Sequence, residues 1–314
     1  MNNKVIIILL NYCGIEDTLN CIASLEQIEY DNYEILVVDN ASPDNSYEIL
    51  KEALKDTPHT LLKSKCNGGF AKGNNIGIEY AMNHGADYVL LLNTDTLVEK
   101  NFLTKLVECY ESYPEAGIVG SKILYESKRD YIWYGGGDID FKRFYGYHYG
   151  EKHRDEGQYD EECEVNFITG CVMLIGRDVI KKVGDLPEEY FMYFEDADYC
   201  VQVKDAGYKL YYCPKAIVYH KVSASTGGEE SPFGIKWGTR NRIIFMSKFK
   251  NKVSKINYLK ANIFFYLTRI LKILSYFLKG EFKRINALKE GIKEGINYKK
   301  KKKKYNIIKI YYKN

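Results

Sequence analysis

The stretch LLLNTDT at residues 90–96 is a short apolar run that stops at Asn93, Thr94 and Asp95. Such a run, ended by polar residues, is typical of a buried strand that reaches the edge of its sheet. A carboxylate at a strand end lies in water or on a metal ion. Only one of the two positions 93 and 95 is acidic, so the stretch alone fits either half of a metal site or a plain strand end.

The same order of elements repeats through the first 120 residues. Apolar runs without alternation favour strands covered on both faces, and amphipathic segments between them favour helices. This alternation predicts an α/β fold, with a doubly wound, mostly parallel sheet and helices on both faces. The predicted strands are residues 5–10, 34–38, 59–63 and 88–92, and the predicted helices are residues 16–27, 44–55 and 72–84.

Polar residues follow three of these predicted strands. They are Asn11 and Tyr12, Asp39 and Asn40, and Asn93 and Asp95. Ligands bind at the carboxyl ends of strands in such sheets, so these residues predict a shared ligand site. The alternative for any one of them is a turn, which Asp and Asn favour.

Charge is divided unevenly along the chain. The net charge is +3, but residues 248–314 contain 18 Lys, 2 Arg and 3 Glu, a net charge of +17, which leaves −14 for residues 1–247. The acidic body argues against nucleic-acid binding, whereas the basic end favours an anionic surface. Eight scattered cysteines without a CxxC pair predict reduced thiols in the cytoplasm, and the short apolar start, VIIILL, predicts no secretion signal.

Residues 117–214 are rich in Gly and Tyr and predict loops and antiparallel segments over the edge of the sheet, the usual place for an acceptor-binding wall. A helix is predicted from Glu195 to Gly207, because the acidic EDAD cluster suits a first helical turn.

The segment CNGGFAKGNNIGI at residues 66–78 contains Gly68, Gly69 and Gly73 around a helix start. Glycines let a backbone approach a ligand closely, and the first N–H groups of a helix can bind phosphate. The segment is neither a Walker A loop nor GxGxxG, so a plain turn before a helix is the alternative.

Two further segments contain candidate catalytic groups. In FMYFEDADYC, residues 191–200, the aromatic residues around Glu195, Asp196 and Asp198 can raise a carboxyl pKa toward the range of a general base. Helix N-terminal charge is the alternative, particularly for Asp198. His220 ends the apolar run AIVYH; it is a core histidine or, with Asp95 and a diphosphate, a ligand of a divalent cation.

Taken in order, the motifs VDNASPDNS, NGGFAKGNNIGI, LLNTDT, ITGCVML, FMYFEDADYC and HKVSASTGG resemble the family 2 glycosyltransferases, specifically their rhamnosyltransferase-like bacterial branch, over residues 4–247. The resemblance implies a GT-A fold, a nucleotide-diphosphate-sugar donor, a divalent metal (Mg²⁺ or Mn²⁺) and inversion at the anomeric carbon. Asn93 stands where many members have the first Asp of a DxD element, and a Lys-Trp pair precedes the RNR element where two tyrosines are common.

The resemblance also implies roles for single residues. Asp95 would contact the metal and diphosphate, His220 would complete the metal shell, and Asp196 would be the catalytic base, with Glu195 as a second acid near the acceptor. The implied donor-binding residues are Asn11, Asp39, Asn67, Gly68, Asn75, Asn93, Asp95 and Arg240, with surface ion pairing as the alternative for Arg240.

The predicted domains are a catalytic domain at residues 1–247, divided into a nucleotide-binding half (1–120) and an acceptor-binding half (121–247), and a basic helical extension at residues 248–314. Apolar residues recur every three or four positions across residues 256–278, but Lys260, Arg269 and Lys272 interrupt them. This pattern predicts an amphipathic helix rather than a membrane-spanning one. With the run KKKKKK at residues 299–304, it favours an anionic membrane surface; packing on the protein or on a second subunit, as in a homodimer, is the alternative.

Together these features predict an inverting, metal-dependent hexosyltransferase that moves rhamnose from dTDP-rhamnose to a cell-surface polysaccharide or lipid-linked glycan. We expect it in the cytoplasm, peripheral on the inner face of the cell membrane. The alternative is a catalytically silent nucleotide-sugar-binding or assembly protein, which would have no chemical need for the ED pair. A nucleotidyltransferase would leave both the ED pair and HKVSASTGG unexplained.

Overall fold

The computed structural model describes residues 2–222 and 230–311, with side chains described as far as residue 302. The predicted motif HKVSASTGG therefore lies largely outside the described residues. The strands are β1 Val5–Asn11, β2 Tyr33–Asp39, β3 Thr60–Lys63, β4 Tyr88–Leu92, β5 Thr96–Val98, β6 Ala116–Tyr125, β7 Lys128–Tyr134, β8 Gly137–Asp140, β9 Tyr145–His148, β10 Cys163–Val165, β11 Val172–Gly176 and β12 Lys209–His220. The α-helices are α1 Ile15–Leu25, α2 Ser46–Ala53, α3 Gly69–Asn83, α4 Phe102–Ser112, α5 Arg177–Val183, α6 Glu195–Asp205, α7 Pro232–Lys248, α8 Lys255–Leu278 and α9 Phe282–Tyr311.

The main sheet has the strand order β10-β12-β6-β11-β4-β1-β2-β3, with β5 paired to β12 and β7 to β6. Strands β3, β2, β1 and β4 are mutually parallel. All four predicted strands and the three predicted helices between them are present within a few residues of their expected bounds. The predicted parallel α/β sheet is confirmed.

Strand register brings the polar strand ends together. Asn11 pairs with Asp39, the last residues of β1 and β2, and Leu9 pairs with Leu92, the last residue of β4. Parallel strands place their carboxyl ends at one edge of a sheet. Asn11, Asp39 and the segment after Leu92 therefore share an edge, as the sequence predicts.

The region after residue 117 differs from its prediction as an edge covering. Strand β11 lies inside the sheet, antiparallel to both β4 and β6, and β12 runs parallel to β6. Every residue of β11 and nearly every residue of β6 is buried. The Gly-rich composition did not indicate these strands, because their glycines are needed for packing. A Cβ at Gly117 would lie 2.6 Å from the Tyr208 side chain, and a Cβ at Gly120 would lie 2.7 Å from the Ile168 side chain.

Two glycines of α3 serve helix packing. A Cβ at Gly73 would lie 2.4 Å from the Leu10 side chain, and a Cβ at Gly77 would lie 2.7 Å from the Ile8 side chain. The helix therefore lies directly on β1. Gly73, which the sequence offered as a ligand-approach residue, is explained by this contact.

The described residues divide into two compact units. The first contains residues 2–138, 146–191 and 195–222, and the second contains residues 139–145, 192–194 and 230–311. In the second unit, Ile235 of α7 shares an apolar core with Tyr276 of α8 and with Ile285 and Leu288 of α9. Helix α7 thus groups with α8 and α9, and the predicted domain division at residue 247 stays a prediction.

Helix α8 buries one face and exposes the other. Ala261, Phe265 and Tyr276 are buried, whereas the opposite side carries exposed apolar residues. Within the described part of the chain, α8 is the one helix whose length and composition suffice to cross a membrane. The exposed residues are Ile256, Leu259, Ile263, Phe264, Leu267, Ile270, Leu271, Leu274, Phe277 and Leu278.

Candidate functional site

Asp39 ends β2 in a fixed, fully buried position. Its carboxylate accepts hydrogen bonds from Asn11 Nδ2 at 2.9 Å and from the Ser42 backbone N–H at 3.1 Å. Asn11 Oδ1 in turn accepts from the Thr18 hydroxyl at 3.0 Å. The two residues that the sequence assigned to donor binding therefore form one rigid polar unit at the sheet edge.

The loop before α3 is held to β2 by Asn40, a strand-end residue for which the sequence predicted no individual role. Asn40 Nδ2 donates to Asn67 Oδ1 at 3.1 Å and to the Gly69 carbonyl at 3.2 Å, and Asn40 Oδ1 accepts from the Gly68 N–H at 3.3 Å. Asn67 Oδ1 also accepts from the Gly69 N–H at 3.0 Å. Asn40 follows Asp39 directly, so its position in VDNASPDNS was the available signal.

Gly69 adopts a φ of +81°, a conformation that L side chains rarely take. A Cβ at this position would lie 2.0 Å from the Phe191 carbonyl oxygen, which also accepts a hydrogen bond from the Phe70 N–H at 2.8 Å. Only glycine permits this approach. It joins the glycine loop to Phe191, four residues before the ED pair.

Asp95 and His220 meet at the end of β4. His220 Nε2 lies 3.1 Å from Asp95 Oδ1, and both side chains are nearly buried. Burial acts to raise the pKa of Asp95, but the hydrogen bond and charge of His220 outweigh it and hold that pKa below its usual range. The pairing arises because His220, the last residue of β12, lies opposite Thr96 in β5.

The Asp95–His220 pair suits a divalent cation. A carboxylate oxygen and an imidazole nitrogen face each other at hydrogen-bond distance, so a cation between them would replace the shared proton. His220 Nδ1 is buried and has no hydrogen-bond partner among the described residues. The proton of the ring can therefore move from Nε2 to Nδ1 without breaking another hydrogen bond to the described residues.

Asp196, near the start of α6, is bound by backbone donors. Its Oδ2 accepts from the Gly170 N–H at 3.1 Å and its Oδ1 from the Ala197 N–H at 2.7 Å. Burial raises the pKa of Asp196 despite these hydrogen bonds. Residue 196 is partly exposed to solvent, as a general base that meets a substrate requires.

One turn links Asp196 to the end of β4. Gly170 donates to Asp196, and the next residue, Cys171, accepts a hydrogen bond from the Asn93 N–H at 3.0 Å. The ring of Phe70 also approaches Gly170, since a Cβ there would lie 3.1 Å from it. The structure thus brings together the glycine loop, the strand end before Asp95 and the ED pair.

The other acids of the EDAD cluster are buried. Asp198 accepts hydrogen bonds from the Tyr190 hydroxyl at 2.9 Å and from Gln202 Nε2 at 2.7 Å. Its carboxylate therefore holds these two side chains in place at α6. Glu195 is 4% exposed. Of the three acids, Asp196 is the one with solvent access.

The remaining predicted donor residues have other surroundings. Asn75 exchanges two hydrogen bonds with the Leu186 backbone, at 2.9 and 3.0 Å, and lines a cavity of about 430 Å³ with Asp185 and Glu188. Arg240, in the second unit, contacts Asn241, Glu294 and the rings of Trp237 and Tyr298. The donor-binding roles of both stay predictions.

Asn241 of the RNR element, which the sequence did not single out, supports the segment before the ED pair. Its Nδ2 donates to the carbonyls of Met192 and Tyr193 at 2.7 and 2.9 Å. Tyr193 and Phe194 have φ values of +71° and +77°, which are strained for side chains of this size. Strain of this kind persists where surrounding contacts maintain it, and it clusters at functional sites.

These features define a class of protein. The mannosyltransferase PcManGT from Pyrobaculum calidifontis, solved in complex with GDP-Man and Mn²⁺, matches with a TM-score of 0.60 over 94% of this chain and 88% of that one, at 13% identity. The fold is therefore that of the GT-A glycosyltransferases, as predicted. Residues 4–184, more than half of the chain, match the family described as Glycosyl transferase family 2. The chain belongs to that family.

Two relatives are rhamnosyltransferases. The dTDP-rhamnosyl transferase RfbF of Shigella flexneri is 26% identical over 225 residues, which cover 71% of this chain and 70% of the relative. The N-acetylglucosaminyl-diphospho-decaprenol L-rhamnosyltransferase of Mycobacterium tuberculosis is 28% identical over 224 residues, which cover 66% and 72%. The resemblance to the rhamnosyltransferase-like branch is confirmed.

Proposed function

We propose that this glycosyltransferase moves a hexose from a nucleotide diphosphate to an acceptor hydroxyl with inversion, and that Asp196 is the catalytic base. One observation carries the proposal. Asp196 is a partly exposed residue whose carboxyl has a raised pKa, and the Gly170–Cys171 turn ties it to the strand end before Asp95. A base beside the donor site is what a single displacement requires.

In the proposed step, Asp196 accepts the proton of the acceptor hydroxyl while the acceptor oxygen bonds to the anomeric carbon. The bond from that carbon to the diphosphate oxygen breaks, and the nucleotide diphosphate leaves. Attack opposite the leaving group inverts the sugar. The hydrogen bonds from Gly170 and Ala197 orient the carboxylate so that little reorganisation is needed during transfer.

Asp95 and His220 would hold a Mg²⁺ or Mn²⁺ ion, which neutralises charge on the diphosphate leaving group. Asp39 and Asn11 would bind the nucleotide, and Asn67 and Gly68 would line its pocket. Asn93 has a neutral side chain beside Asp95, so the site has one acid fewer than a DxD element. We expect the ion to bind weakly until the donor supplies further oxygen ligands.

For the substrates, we propose dTDP-rhamnose as donor and a lipid-linked glycan or cell-surface polysaccharide as acceptor. The names of the two rhamnosyltransferase relatives support this choice, one through its dTDP-rhamnosyl activity and the other through its decaprenol-linked acceptor. A silent binding protein would have no chemical use for a desolvated base at Asp196.

The deciding experiment is a panel of nucleotide sugars tested for thermal stabilisation with Mn²⁺, Mg²⁺ or EDTA, because at equal concentration a ligand that binds the native state more tightly stabilises it more. We expect dTDP-rhamnose to give the largest shift and EDTA to reduce it. Donor hydrolysis or transfer is then measured with the best ligand. Stabilisation without any turnover would favour the silent protein.

We further propose that α8 lies on an anionic membrane surface. Its exposed apolar stripe faces away from buried Ala261, Phe265 and Tyr276, and the following helix α9 carries Lys299 to Lys302. Basic residues near an anionic surface contribute roughly 1 kcal/mol each. Because one face of α8 packs on protein, an interfacial position fits better than a span. It would bring the enzyme to a lipid-linked acceptor.

A further inference from the structure

Two buried thiols and one carboxylate converge away from the proposed catalytic residues. Cys109 lies in α4, Cys213 lies in β12, and Glu162 directly precedes β10. The two Sγ atoms and a Glu162 carboxylate oxygen all lie within 4.8 Å of one another. Both thiols are buried, whereas the Glu162 side chain is 24% exposed. The group therefore has a buried sulfur side and an opening to solvent.

The backbone at Cys213 has an unusual form. Cys213 pairs with Ser121 and Ile217 pairs with the next residue, Lys122, so Pro214, Lys215 and Ala216 form a bulge in β12. A bulge redirects the side chains beside it. The redirected thiol of Cys213 faces Cys109 across the interface between α4 and the sheet.

The bulge places the backbone N–H groups of Ala216 and Lys215 near the Cys213 sulfur. The neighbouring Cys109 thiol lowers the pKa of Cys213 most, and these N–H groups add to the effect, although burial opposes them. As a thiol, Cys213 instead donates to the Lys105 carbonyl at 3.4 Å. The Cys213 sulfur therefore lies among polar groups of α4 and of the bulge rather than in a purely apolar core.

The carboxylate is the unfavourable member of the group when no cation is present. The contact between the two thiols and their burial have the larger effects on their pKa values, but the Glu162 charge also acts to raise both. Lys215 offsets that charge from the surface at 3.4 Å. A divalent cation would reduce this conflict, because its two positive charges offset most of the charge of two thiolates and a carboxylate, and Lys215 lies beside the carboxylate. Two sulfurs and one oxygen suit Zn²⁺, whereas Mg²⁺ and Ca²⁺ prefer oxygen ligands alone.

We propose that Cys109, Cys213 and Glu162 form a Zn²⁺ site, with water in the fourth position on the exposed side of Glu162. The site would join α4 to the bulge of β12, the strand that ends in His220. Its role would be to stabilise the fold, since metal binding to a native site adds directly to folding stability. It is independent of the proposed Asp95–His220 metal pair.

The test uses the full-length chain, reduced and freed of metal, and titrated with Zn²⁺ and separately with Co²⁺. Bound Zn²⁺ is measured by mass spectrometry, and Co²⁺ is followed by its thiolate charge-transfer absorption. Asp95 and His220 have no sulfur, so this absorption distinguishes the new site from the catalytic one. We expect one strongly absorbing Co²⁺ per chain and a higher Tm with Zn²⁺.

Three variants separate the ligands from their surroundings. Cys213→Ser removes a thiolate, and we expect loss of the Co²⁺ absorption and of the Zn²⁺-dependent rise in Tm. Glu162 is partly exposed, so the fold should tolerate Glu162→Gln, and we expect this variant to bind Zn²⁺ ~10-fold more weakly or worse. Cys163→Ser alters the exposed thiol next to Glu162 and serves as the matched control, with binding unchanged.

Three results would overturn the proposal. They are equal Zn²⁺ binding by the wild type and Glu162→Gln, a Co²⁺ complex of the wild type without thiolate absorption, and a Cys109–Cys213 disulfide as the form isolated from cells. Activity is not the readout, so failure of the proposed transfer reaction would leave this test intact.

Discussion

The Gly170 backbone N–H donates a hydrogen bond to Asp196 Oδ2 at 3.1 Å, and the same turn accepts the Asn93 N–H through the Cys171 carbonyl. A residue from the second half of the chain is thereby held next to the end of β4. A side chain at position 170 would interfere with this arrangement, because a Cβ there would lie 3.1 Å from the Phe70 ring.

Replacing Asp196 with Asn is expected to lower kcat by ~10²–10⁴, the usual contribution of a general base, and to leave donor affinity nearly unchanged. The measurements are nucleotide diphosphate release and donor binding by calorimetry. Asp205→Asn makes the same change at the exposed end of α6 and is expected to retain activity. If Asp196→Asn loses donor affinity instead, Asp196 belongs to the nucleotide site.

The pH dependence of transfer follows from the raised pKa of Asp196. The carboxyl must be ionised to accept a proton, so we expect kcat/KM to fall tenfold per pH unit below that pKa, which lies above the usual value of 3.8. The same shift means that the native carboxyl binds its proton more tightly than the unfolded one. Its contribution to stability is therefore present at low pH and declines as pH rises through the native pKa. A rate that stays constant down to pH 4 would contradict this role.

Replacing Asp95 with Ala is expected to weaken donor binding in the presence of Mn²⁺ by roughly 10- to 100-fold, because the proposed metal pair loses its carboxylate. With EDTA present, the wild type and the variant are expected to bind the donor equally weakly. Asp178→Ala, at an exposed site in α5, is the control. If Asp95→Ala binds the donor as tightly as the wild type does in the presence of Mn²⁺, the metal role of Asp95 is wrong.

Replacing Gly69 with Ala tests the contact between the glycine loop and Phe191. The positive φ alone costs about 1–2 kcal/mol, and the 2.0 Å approach to the Phe191 carbonyl adds to it. Gly85→Ala has a similar φ of +77° with nothing within 4 Å, so it isolates the conformational cost. Denaturant unfolding and donor binding are measured for both. Equal losses in the two variants would show that the Phe191 contact is unimportant.

The proposed membrane surface is tested by sedimentation with anionic and neutral vesicles. We expect the wild type to bind anionic vesicles, and Leu267→Asp with Leu274→Asp, or deletion of residues 296–314, to lower bound protein. Ile49→Asp alters an exposed apolar residue of α2 and is the control. Unchanged binding after the deletion would show that the basic segment does not contribute to vesicle binding.

Two other outcomes would assign the exposed stripe of α8 differently. A dimer that dissociates in the leucine variants would assign the stripe to a second subunit. Resistance to alkaline extraction from membranes would assign it to a membrane span.

The sequence by itself determined the parallel half of the sheet, because residues buried on both faces must be apolar and strand ends must be polar. It also placed Asn11, Asp39 and the segment after Leu92 at one edge of the sheet, since parallel strands end at one edge. Composition could not reveal β6 and β11 as inner strands. Their glycines are explained by neighbours distant in sequence, such as Ile168 against Gly120.

Only the tertiary structure decided which polar residues act as structural hydrogen-bonding groups and which remain accessible. Asp198 and Asn75 are used by their neighbours, whereas Asp196 has both backbone donors and some solvent access. It also placed Cys109, Cys213 and Glu162 together, although more than 100 residues separate the two thiols. Hydrogen bonds and burial depend on contacts between segments distant along the chain, and local patterns do not encode these contacts.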